Sequence, residues 1–429
     1  MKRYDNPQRE NWAEICRRPS INTADLNALV VDILNKVKYN GDEALRAYEL
    51  QFDKVQLNDL LVTKEEIDAA VKLVDTDLKN AIQLAKANIE RFHMTQKENT
   101  QRIETTKGVE CWREGRAIEK VGLYIPGGTA PLFSTVLMLG IPAKIAGCDE
   151  IVLCTPPAKD GSINPAILYT AELVGVTKIF KVGGAQAVGA MAYGTESIPQ
   201  VYKIFGPGNQ FVTKAKELVQ QSGTAIDMPA GPSEVLVIAD DSCEPSFVAA
   251  DLLSQAEHGE DSQVILLSPS SNTIDKVMTE LYAQLEKLPR KQIAEKALES
   301  SRAVLCESLE ACIKLSNYYA PEHLIIASDK AKSLIGKIQN AGSVFLGNYS
   351  CESAGDYASG TNHTLPTNGY ARNYSGVSLD SFIRKITFQQ LTAEGIQKIG
   401  PAIECMAEAE QLFAHKNAVT LRLKSLQNV

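Results

Sequence analysis

The hydrophobic positions in the first hundred residues recur at helical spacing. Apolar residues three or four positions apart run from 22 to 37, and they predict a helix that ends at the Asn40-Gly41 turn. A second, longer helix is predicted from Thr63 to about Lys97. It begins with a capping box, because the Thr63 hydroxyl and the Glu66 carboxylate can satisfy backbone N–H groups that have no partner inside the helix. Two helices are therefore predicted before residue 100.

From residue 101 the pattern changes to short apolar stretches that predict strands. The segment 101–124 is interrupted at Lys107-Gly108 and Glu114-Gly115, and we expect an antiparallel hairpin that leads into a strand at Val121. Further along, apolar runs alternate with helical stretches in two series. The runs of the first series lie at 123–125, 151–154, 178–182 and 201–205, with helices near 131–147, 164–175, 185–193 and 209–221. The runs of the second series lie at 234–238, 264–267, 303–306, 323–327 and 343–346.

Such alternation is typical of parallel sheets covered by helices on both faces. We therefore expect an α/β protein with two doubly wound, Rossmann-like units and mostly parallel sheets. The expected division is an N-terminal arm, 1–20; a first unit, 21–118 with 236–318; a second unit, 119–235 with 319–378; and a C-terminal helical extension, 379–429. The extension is helical from about 399 to 424 and too small for its own core, so we expect it to pack on something else, such as another subunit.

Composition and charge disfavour several classes of function. With 44 Lys and Arg against 52 Asp and Glu, the net charge is −8, which disfavours a nucleic-acid partner. The first ten residues are polar and charged, and no segment has the roughly 18 uninterrupted apolar residues of a membrane span. The nine cysteines include no C-x-x-C pair, which disfavours a disulfide framework or a thiolate zinc cluster. These features predict a cytoplasmic protein with reduced thiols and no membrane partner.

Two potentially reactive side chains are assigned to the core. Cys154 ends an apolar run just before Thr155-Pro156-Pro157, where a strand would deliver a nucleophile to a loop, but a buried structural thiol is the preferred interpretation. His93 lies on the second predicted helix and is interpreted as structural. The remaining histidines lie in more distinctive surroundings and are His258, His323, His363 and His415.

A divalent metal site is one interpretation of the segment around His258. Gln255 and His258 are three positions apart at the end of a predicted helix, so both side chains lie on one face and can reach the same ion. Asp251 and Glu257 are near in sequence, and a glycine beside Asp356 would let that carboxylate approach a shared site. Imidazole, carboxylate and carbonyl donors without a thiolate suit zinc or another divalent first-row metal. A polar helix end without a metal is the alternative.

The pair Glu322-His323 follows Pro321 at a predicted loop-to-strand boundary. In an extended backbone the two side chains would lie on opposite faces. A glutamate and a histidine are suited to water activation and proton removal near neutral pH. A solvated glutamate beside a capping or core histidine is the alternative interpretation.

Three glycine-rich turns follow predicted strands. They are Tyr124-Ile125-Pro126-Gly127-Gly128, Val182-Gly183-Gly184-Ala185-Gln186 and Phe205-Gly206-Pro207-Gly208-Asn209. Helix N-termini after such turns bind phosphate groups, because free backbone N–H groups converge there. None of the three has the G-x-G-x-x-G spacing of the standard dinucleotide fingerprint, and an ordinary tight turn is the alternative for each.

Together, these segments resemble the histidinol dehydrogenase family, the enzymes that complete histidine biosynthesis. The matching motifs are GLYIPGGTAPLFST, GGAQAVGAMAYGTES, FGPGN, DMPAGPSEVLVIAD, DLLSQAEHG, APEHLI, GSVFLG, SAGDYASGTNHTLPT and AHKNAVTLR. They span roughly residues 115–423, and several are too long for chance agreement.

The resemblance implies an oxidoreductase that uses NAD and one Zn²⁺ per subunit. The implied zinc ligands are Gln255, His258, Asp356 and His415. The implied substrate-binding residues are these four ligands together with Ser233, His323, His363 and Glu410. The implied acid–base residues are Glu322 and His323, and the implied NAD contacts, all in the second α/β unit, are Tyr124, Gln186 and Asn209.

The implied reaction is a four-electron oxidation of L-histidinol through L-histidinal to L-histidine with two NAD. It needs no cysteine thiohemiacetal, and the zinc would orient the substrate more than polarise it. The resemblance also implies a homodimer in which the C-terminal segment reaches the neighbour's site. Glu410 and His415 would lie about 140° apart on a regular helix, so we expect them to touch different parts of one pocket, or the helix to end between them.

Three other functions are weighed against this one. The nearest is a family member that oxidises another hydroxy compound, such as a sulfonated diol, but Ser233, His363 and Glu410 favour the imidazole substrate. The second is a zinc hydrolase in which Glu322 activates water, and the glycine-rich turns after parallel strands argue against it. The third is a non-catalytic binding protein.

Overall fold

Helices and strands alternate through most of the chain in the computed structural model, which describes residues 1–19, 23–127 and 130–427. The helices are α1 (Trp12–Ile15), α2 (Thr23–Tyr48), α3 (Lys64–Leu73), α4 (Thr76–Met94), α5 (Phe133–Ala146), α6 (Pro165–Val174), α7 (Gly184–Tyr193), α8 (Gln210–Gln221), α9 (Pro245–Ala256), α10 (Ser271–Leu285), α11 (Lys291–Glu299), α12 (Leu309–Tyr319), α13 (Ala331–Leu334), α14 (Glu352–Tyr357), α15 (Ala393–Ala409) and α16 (Phe413–Gln427). The strands are β1 (Lys2–Asp5), β2 (Arg102–Thr106), β3 (Val109–Ala117), β4 (Lys120–Tyr124), β5 (Glu150–Thr155), β6 (Lys178–Lys181), β7 (Lys203–Phe205), β8 (Ala225–Ile226), β9 (Glu234–Ala239), β10 (Gln263–Ser268), β11 (Arg302–Leu305), β12 (His323–Ala327), β13 (Ser343–Leu346) and β14 (Ile383–Leu391). Gly128 of the first glycine-rich turn and residue 22, where the first predicted helix begins, lie outside the described residues.

The chain divides into two units. The larger unit combines Met1–Gln96 with Ile118–Phe382, and the smaller unit combines Lys97–Ala117 with Ile383–Val429. Among the described helices, none has both the length and the apolar character needed to cross a lipid bilayer.

The first predicted helix ends at its glycine, and a second helical stretch follows directly after a kink within α2. Gly41 has a φ of 52° and a ψ of −132°, which is not helical, and helical backbone resumes after it within α2. A side chain at this position would collide with the carboxylate of Glu196, which accepts a hydrogen bond from the backbone N–H of Asp42 at 2.8 Å. The predicted end at Gly41 is therefore confirmed, and residues after the kink, such as Leu45, pack in the same core as residues before it.

The second predicted helix is two helices. Its capping box is present, since Thr63 accepts from the backbone N–H of Glu66 at 3.2 Å and Glu66 accepts from the backbone N–H of Thr63 at 2.8 Å. Helix α3 stops at Val74, whose backbone is extended, and Asp75 then caps α4 by accepting from the backbone N–H of Leu78 at 2.8 Å. The single long helix was wrong because Asp75 acts as a new N-cap.

Two parallel sheets organise the larger unit. The β4 sheet has the order β6-β5-β4-β7-β8, and the β9 sheet has the order β1-β11-β10-β9-β12-β13. All strand pairs in both sheets are parallel. In each sheet the chain first builds outwards on one side of the central strand and then crosses to its other side, which is a doubly wound arrangement. The predicted α/β class with mostly parallel sheets is confirmed.

Sheet membership differs from the predicted grouping of segments. Strand β12 pairs with β9 and β13, so it shares a sheet with the strands of 236–318 and not with those of 119–235. Helices α2 and α4 belong to the cores on the β4 sheet, where Val37 packs near Val188 and Ile89 near Leu123, so 21–118 does not group with 236–318. Buried parallel strands are all apolar runs, and their pattern does not encode which strands are neighbours. The boundaries of the folding domains stay a prediction.

The smaller unit contains an antiparallel sheet of order β14-β3-β2. The predicted hairpin of β2 and β3 is confirmed, and β14 extends it by pairing with β3 from Ile383 opposite Ala117 to Leu391 opposite Val109. The sequence analysis did not predict β14, because most of its residues are exposed and do not alternate clearly. The predicted helix from 399 to 424 is two helices, α15 and α16, separated near Gln411, whose φ is 60°.

Candidate functional site

A cleft of the larger unit lies between the ends of its two sheets and has a volume of about 930 Å³. The β4 sheet contributes its carboxyl edge, where strands end, through Pro126 and the turn 206–209. The β9 sheet contributes its amino edge, where strands begin, through Ser233 before β9 and Glu322 and His323 at the start of β12. Each sheet therefore presents an edge next to its own central strand.

Glu322 and His323 are close together at this amino edge. Oε2 of Glu322 accepts a hydrogen bond from the backbone N–H of Glu234 at 2.9 Å and lies 3.6 Å from Nδ1 of His323. The expected placement on opposite faces was wrong, because Glu322 precedes the first residue of β12 and its side chain bonds to neighbouring strand β9. Nε2 of His323 lies 3.6 Å from Oδ1 of Asp356 and has no hydrogen-bond partner among the described residues.

A group of potential metal ligands lies beside this pair. The ligand atoms of His258, Glu352 and Asp356 all lie within 4.8 Å of one another. Gln255, at the end of α9, is buried, and its amide satisfies its neighbours when the nitrogen donates to Glu352 and the oxygen accepts from the backbone N–H of Glu234 at 3.0 Å. The structure thus brings together Gln255, His258 and Asp356, as the sequence analysis expected.

Glu352 is the residue of this cluster that the sequence analysis missed. It is buried, and it lies in the short helix α14, four positions before Asp356. Residues four apart share one face of a helix, so the spacing was a usable indication once this segment was assigned as helix. No helix was predicted in this segment, and only Asp356 was considered.

The cluster has an excess of buried negative charge. Burial lowers the pKa of His323, but the charges of Glu322 and Glu352 and its contact with Asp356 outweigh burial and raise that pKa well above its ordinary value. Burial and neighbouring carboxylates raise the pKa of Glu352 well above its ordinary value. Burial also raises the pKa of nearby Asp251 to about 7. Buried carboxylates without matching cations are costly, and a divalent cation would compensate them.

His363 is held rigidly at the cleft by both ring nitrogens. Nδ1 lies 2.9 Å from the backbone carbonyl oxygen of Asp356, and Nε2 lies 3.1 Å from Oγ1 of Thr135. A carbonyl oxygen only accepts, so Nδ1 is the donor and neutral Nε2 accepts from the hydroxyl. Burial lowers the pKa of His363, which favours this neutral form. Ser233 and His363 both line the cleft.

The expected NAD contacts differ in their access to the cleft. Asn209 lines the cleft and caps α8 by accepting from the backbone N–H groups of Phe211 and Val212. Tyr124 and Gln186 are only 4% and 2% exposed and are not among the described lining residues. The Tyr124 hydroxyl accepts from the backbone N–H of Gly184 at 3.1 Å, which joins the first and second glycine-rich turns.

A buried ion pair fixes the third glycine-rich turn. The backbone N–H of Gly206 donates to Asp227 at 2.8 Å, and the Gly206 carbonyl accepts from Nζ of Lys216 at 2.9 Å. Lys216 and Asp227 are ion-paired and almost fully buried. Gly206 has a φ of 129°, and a Cβ there would lie 2.1 Å from the carbonyl oxygen of Tyr124. Only glycine fits this position, where β4 and β7 end side by side.

The two remaining expected site residues belong to the smaller unit. Glu410 caps the end of α15, His415 lies in α16, and both are exposed. The helix ends between them, which is one of the two expected arrangements. Their roles in the site stay predictions.

The two residues assigned to the core are buried. Cys154 is fully buried, and burial raises the pKa of its thiol, so it does not present a nucleophile to the cleft. His93 is also fully buried, with Nδ1 at 3.0 Å from Oε1 of Gln96, whose Oε1 also accepts from the backbone N–H of Leu379.

Known proteins match this chain over its whole length. A family model described as histidinol dehydrogenase matches residues 16–423. A histidinol dehydrogenase from Bacteroides thetaiotaomicron is 61% identical over 427 residues, which is 100% of both chains. One from Yersinia pestis is 54% identical, with 98% of this chain and 94% of that protein covered. Among solved structures, the histidinol dehydrogenase from Elizabethkingia anophelis has a TM-score of 0.98 at 61% identity, with 100% of this chain and 99% of that chain covered.

Proposed function

Because this chain belongs to the histidinol dehydrogenase family, we propose that it oxidises L-histidinol through L-histidinal to L-histidine with two NAD, as the last step of histidine biosynthesis. Membership of the family makes it an NAD-dependent oxidoreductase. The observation that carries the proposal is the pair of buried Glu322 and His323 next to partly buried Asp356, beside a cleft that also contains two glycine-rich turns.

The proposed metal is one Zn²⁺ per subunit, held by Gln255, His258, Asp356 and His415. The first three supply carbonyl, imidazole and carboxylate donors without a thiolate, and the excess of buried carboxylates around them suits a divalent cation. When bound, zinc would orient the imidazole and amino groups of the substrate, and NAD would accept a hydride in each oxidation. Ser233, His363 and Glu410 are proposed to hold the rest of the substrate.

His323 is proposed to take the proton of the substrate hydroxyl in the first oxidation, in the neutral form that a divalent cation beside it would favour by compensating the carboxylates that raise its pKa. Its Nε2 is buried without a hydrogen-bond partner among the described residues, so it is available to a substrate group in the cleft. Its Nδ1 lies 3.4 Å from the carbonyl oxygen of Glu234, which orients the ring. The alcohol loses the O–H proton to His323 and its C–H hydride to the cofactor, and histidinal results.

Glu322 is proposed to act in the second oxidation by deprotonating a water molecule that adds to histidinal. The hydrogen bond from the backbone N–H of Glu234 fixes one carboxylate oxygen and orients the group. The aldehyde oxygen takes the proton that His323 gained in the first oxidation, and the gem-diol results. The gem-diol then loses an O–H proton to His323 and a second hydride to a second cofactor molecule, and histidine forms. No thiol ester is required, consistent with the buried state of Cys154.

NAD is proposed to bind at the carboxyl edge of the β4 sheet, between β4 and β7. Strand order reverses there, and ligands of doubly wound sheets bind in the crevice outside the carboxyl ends at such a point. Asn209 would contact the cofactor directly from the cleft. Tyr124 and Gln186 would contact it through the small part of their surfaces that is exposed.

The proposed assembly is a homodimer in which each smaller unit supplies Glu410 and His415 to the neighbour's site. Mixing His415→Ala with Glu322→Gln protein tests this, since a mixed dimer would contain one complete site. Random exchange would restore roughly a quarter of the original activity. No recovery after verified subunit exchange would contradict shared sites. The proposed location is the cytoplasm, in keeping with nine free cysteines.

The assay that tests the function follows NADH absorbance after adding histidinol to the zinc-loaded protein. We expect two NADH for each histidinol and histidine as product. A panel with a sulfonated diol is the control for substrate identity. If the protein oxidises the diol faster than histidinol, its substrate is a sulfonated diol. If no substrate yields NADH, the oxidoreductase assignment is contradicted.

A further inference from the structure

Glu49 is a buried carboxyl group that the mechanism does not use. It begins a short π-helical segment, Glu49–Asp53, directly after α2, and its side chain is fully buried. Such segments are rare and occur often at functional sites. Oε1 of Glu49 accepts from the backbone N–H of Gly183 at 3.2 Å and from the side-chain amide of Gln186 at 3.1 Å. Oε2 has no hydrogen-bond partner among the described residues.

The groups held by Glu49 all belong to the second glycine-rich turn. Gly183 precedes α7, and Gln186 lies in its first turn. The next backbone N–H, from Gly184, donates to the Tyr124 hydroxyl at the end of β4. Glu49 therefore lies directly behind two of the three residues proposed to contact NAD. Because it is fully buried, it acts on the cofactor only through them.

We propose that Glu49 is a positioning residue that fixes the turn 183–186 and the Gln186 side chain for the dinucleotide. This inference rests on the proposed NAD-dependent activity and adds to it a residue in the N-terminal helical region. Loss of the Glu49 oxygen would leave two buried N–H donors unsatisfied at the edge of the cofactor site. Such groups cost free energy, and the turn would move or admit water to satisfy them.

The charge state of Glu49 gives the proposal a distinctive signature. Burial and the negative charge of Asp53 raise the pKa of Glu49 to about 8, although the hydrogen bonds from Gln186 and Gly183 act in the opposite direction. Tyr124 and Cys154 also interact with it, and burial raises the pKa of both, which keeps both neutral. Glu49 is therefore protonated at neutral pH and becomes a buried anion as pH rises through about 8, with no ion-pairing cation among the described residues.

The sign of the pH effect follows from this raised pKa. The folded turn is favoured while Glu49 holds its proton, and that contribution is lost as pH rises through the folded pKa. We expect the KM for NAD to rise above pH 8 in the unaltered enzyme while the KM for histidinol changes less. Asp53→Asn removes the neighbouring negative charge, so it should move this rise to lower pH.

The experiment compares Glu49→Gln with Glu49→Ala across pH 6.5 to 9.5, roughly centred on the pKa of about 8. Glutamine keeps an acceptor oxygen and does not ionise, so the KM for NAD should equal that of the unaltered enzyme at pH 7 and stay flat. Alanine should raise the KM for NAD about tenfold or more at every pH, with little change in kcat. Thermal unfolding of each variant shows whether the fold is retained.

Two outcomes would overturn the role of Glu49. One is a pH-dependent KM for NAD in Glu49→Gln that matches the unaltered enzyme. The other is an equal loss in kcat and in both KM values for Glu49→Gln, which would indicate general damage. The Kd for NADH, measured by its fluorescence, reports on Glu49 without turnover. If the unaltered enzyme binds NADH but does not oxidise histidinol, the proposed substrate fails while the role of Glu49 is still tested.

Discussion

The two parallel sheets of the larger unit contribute opposite edges and different chemistry to one cleft. The β4 sheet presents its carboxyl edge, where the turn 206–209 offers backbone groups and few charges. The β9 sheet presents its amino edge, where Glu322 and His323 offer titratable side chains. Binding crevices of doubly wound sheets usually lie at the carboxyl edge, so only the β4 sheet follows the usual rule. The comparison indicates that a dinucleotide needs fixed backbone geometry, whereas proton transfer needs side chains with controlled charge.

The largest expected effect of a single change lies at the amino edge. Glu322→Gln retains an oxygen for the hydrogen bond from Glu234 but removes the proposed base for the second oxidation. We expect histidine formation to fall by about 10²- to 10⁴-fold, with one NADH and histidinal formed in place of two NADH and histidine. Product analysis with stoichiometry of NADH measures this. Two NADH per histidinol at an undiminished rate would remove Glu322 from the reaction.

A smaller effect, on zinc affinity, is expected from a change at Glu352, which lies next to the predicted metal ligands. Glu352→Gln removes a buried carboxyl group next to Gln255, His258 and Asp356. We expect zinc affinity to fall about 10- to 100-fold, as for other groups that orient metal ligands. Metal content after dialysis against chelators of graded strength gives this value. The matched control is Glu310→Gln, which removes an exposed carboxylate paired with Lys337 and should leave zinc affinity unchanged.

A change at Gly206, on the carboxyl edge of the β4 sheet, should alter stability and cofactor binding but not proton transfer. In Gly206→Ala the new Cβ would collide with the backbone of Tyr124, and alanine disfavours a φ of 129°. Unfolding free energy should fall by about 1–3 kcal/mol, and the KM for NAD should rise. Gly336→Ala is the control, since nothing lies within 4 Å of its Cβ. Equal behaviour of both variants in denaturant titrations would contradict the close approach of β4 and β7.

The smallest effect is expected inside the β4 sheet. Cys154→Ala removes a fully buried thiol that does not line the cleft among the described residues, so both oxidation steps should keep their rates. A small loss of stability is expected from the lost sulfur contacts. Loss of the second oxidation alone would place a thiol in the mechanism and contradict the acid–base assignment to Glu322. Single-turnover oxidation of histidinal is the appropriate measurement.

Much of the secondary structure was available from local sequence. The strands of both sheets except β1 and β8, and the helices α5 to α8, were predicted within a few residues, because buried strands and crossover helices have different hydrophobic periods. Strand β1 lies in the segment predicted as an arm, and β8 has only two residues. The errors fall at positions where one polar residue changes the outcome. Asp75 starts a new helix inside a continuous helical pattern, and Gln411 separates α15 from α16 with a positive φ.

The sequence also predicted most of the side chains that lie at the site, but it did not predict which distant residues contact them. Gln255 and His258 are close along one helix end, so their convergence follows from local geometry. Glu352 was missed because the segment after β13 has the composition of a loop. Glu49 was missed because nothing in an N-terminal helix indicates that it packs behind a turn 134 positions later.

By itself, the sequence determined the α/β class, the positions of most strands and the resemblance that names the family. Local periodicity and long motifs are properties of neighbouring residues, so they can be read without a fold. The tertiary structure decided which strands share a sheet, which edge of each sheet borders the cleft, and which carboxylates lose their solvent. Strand order, cleft edges and burial depend on contacts between segments that are distant in sequence. A carboxyl pKa is shifted, and a glycine backbone is constrained, only when folding brings those segments into contact.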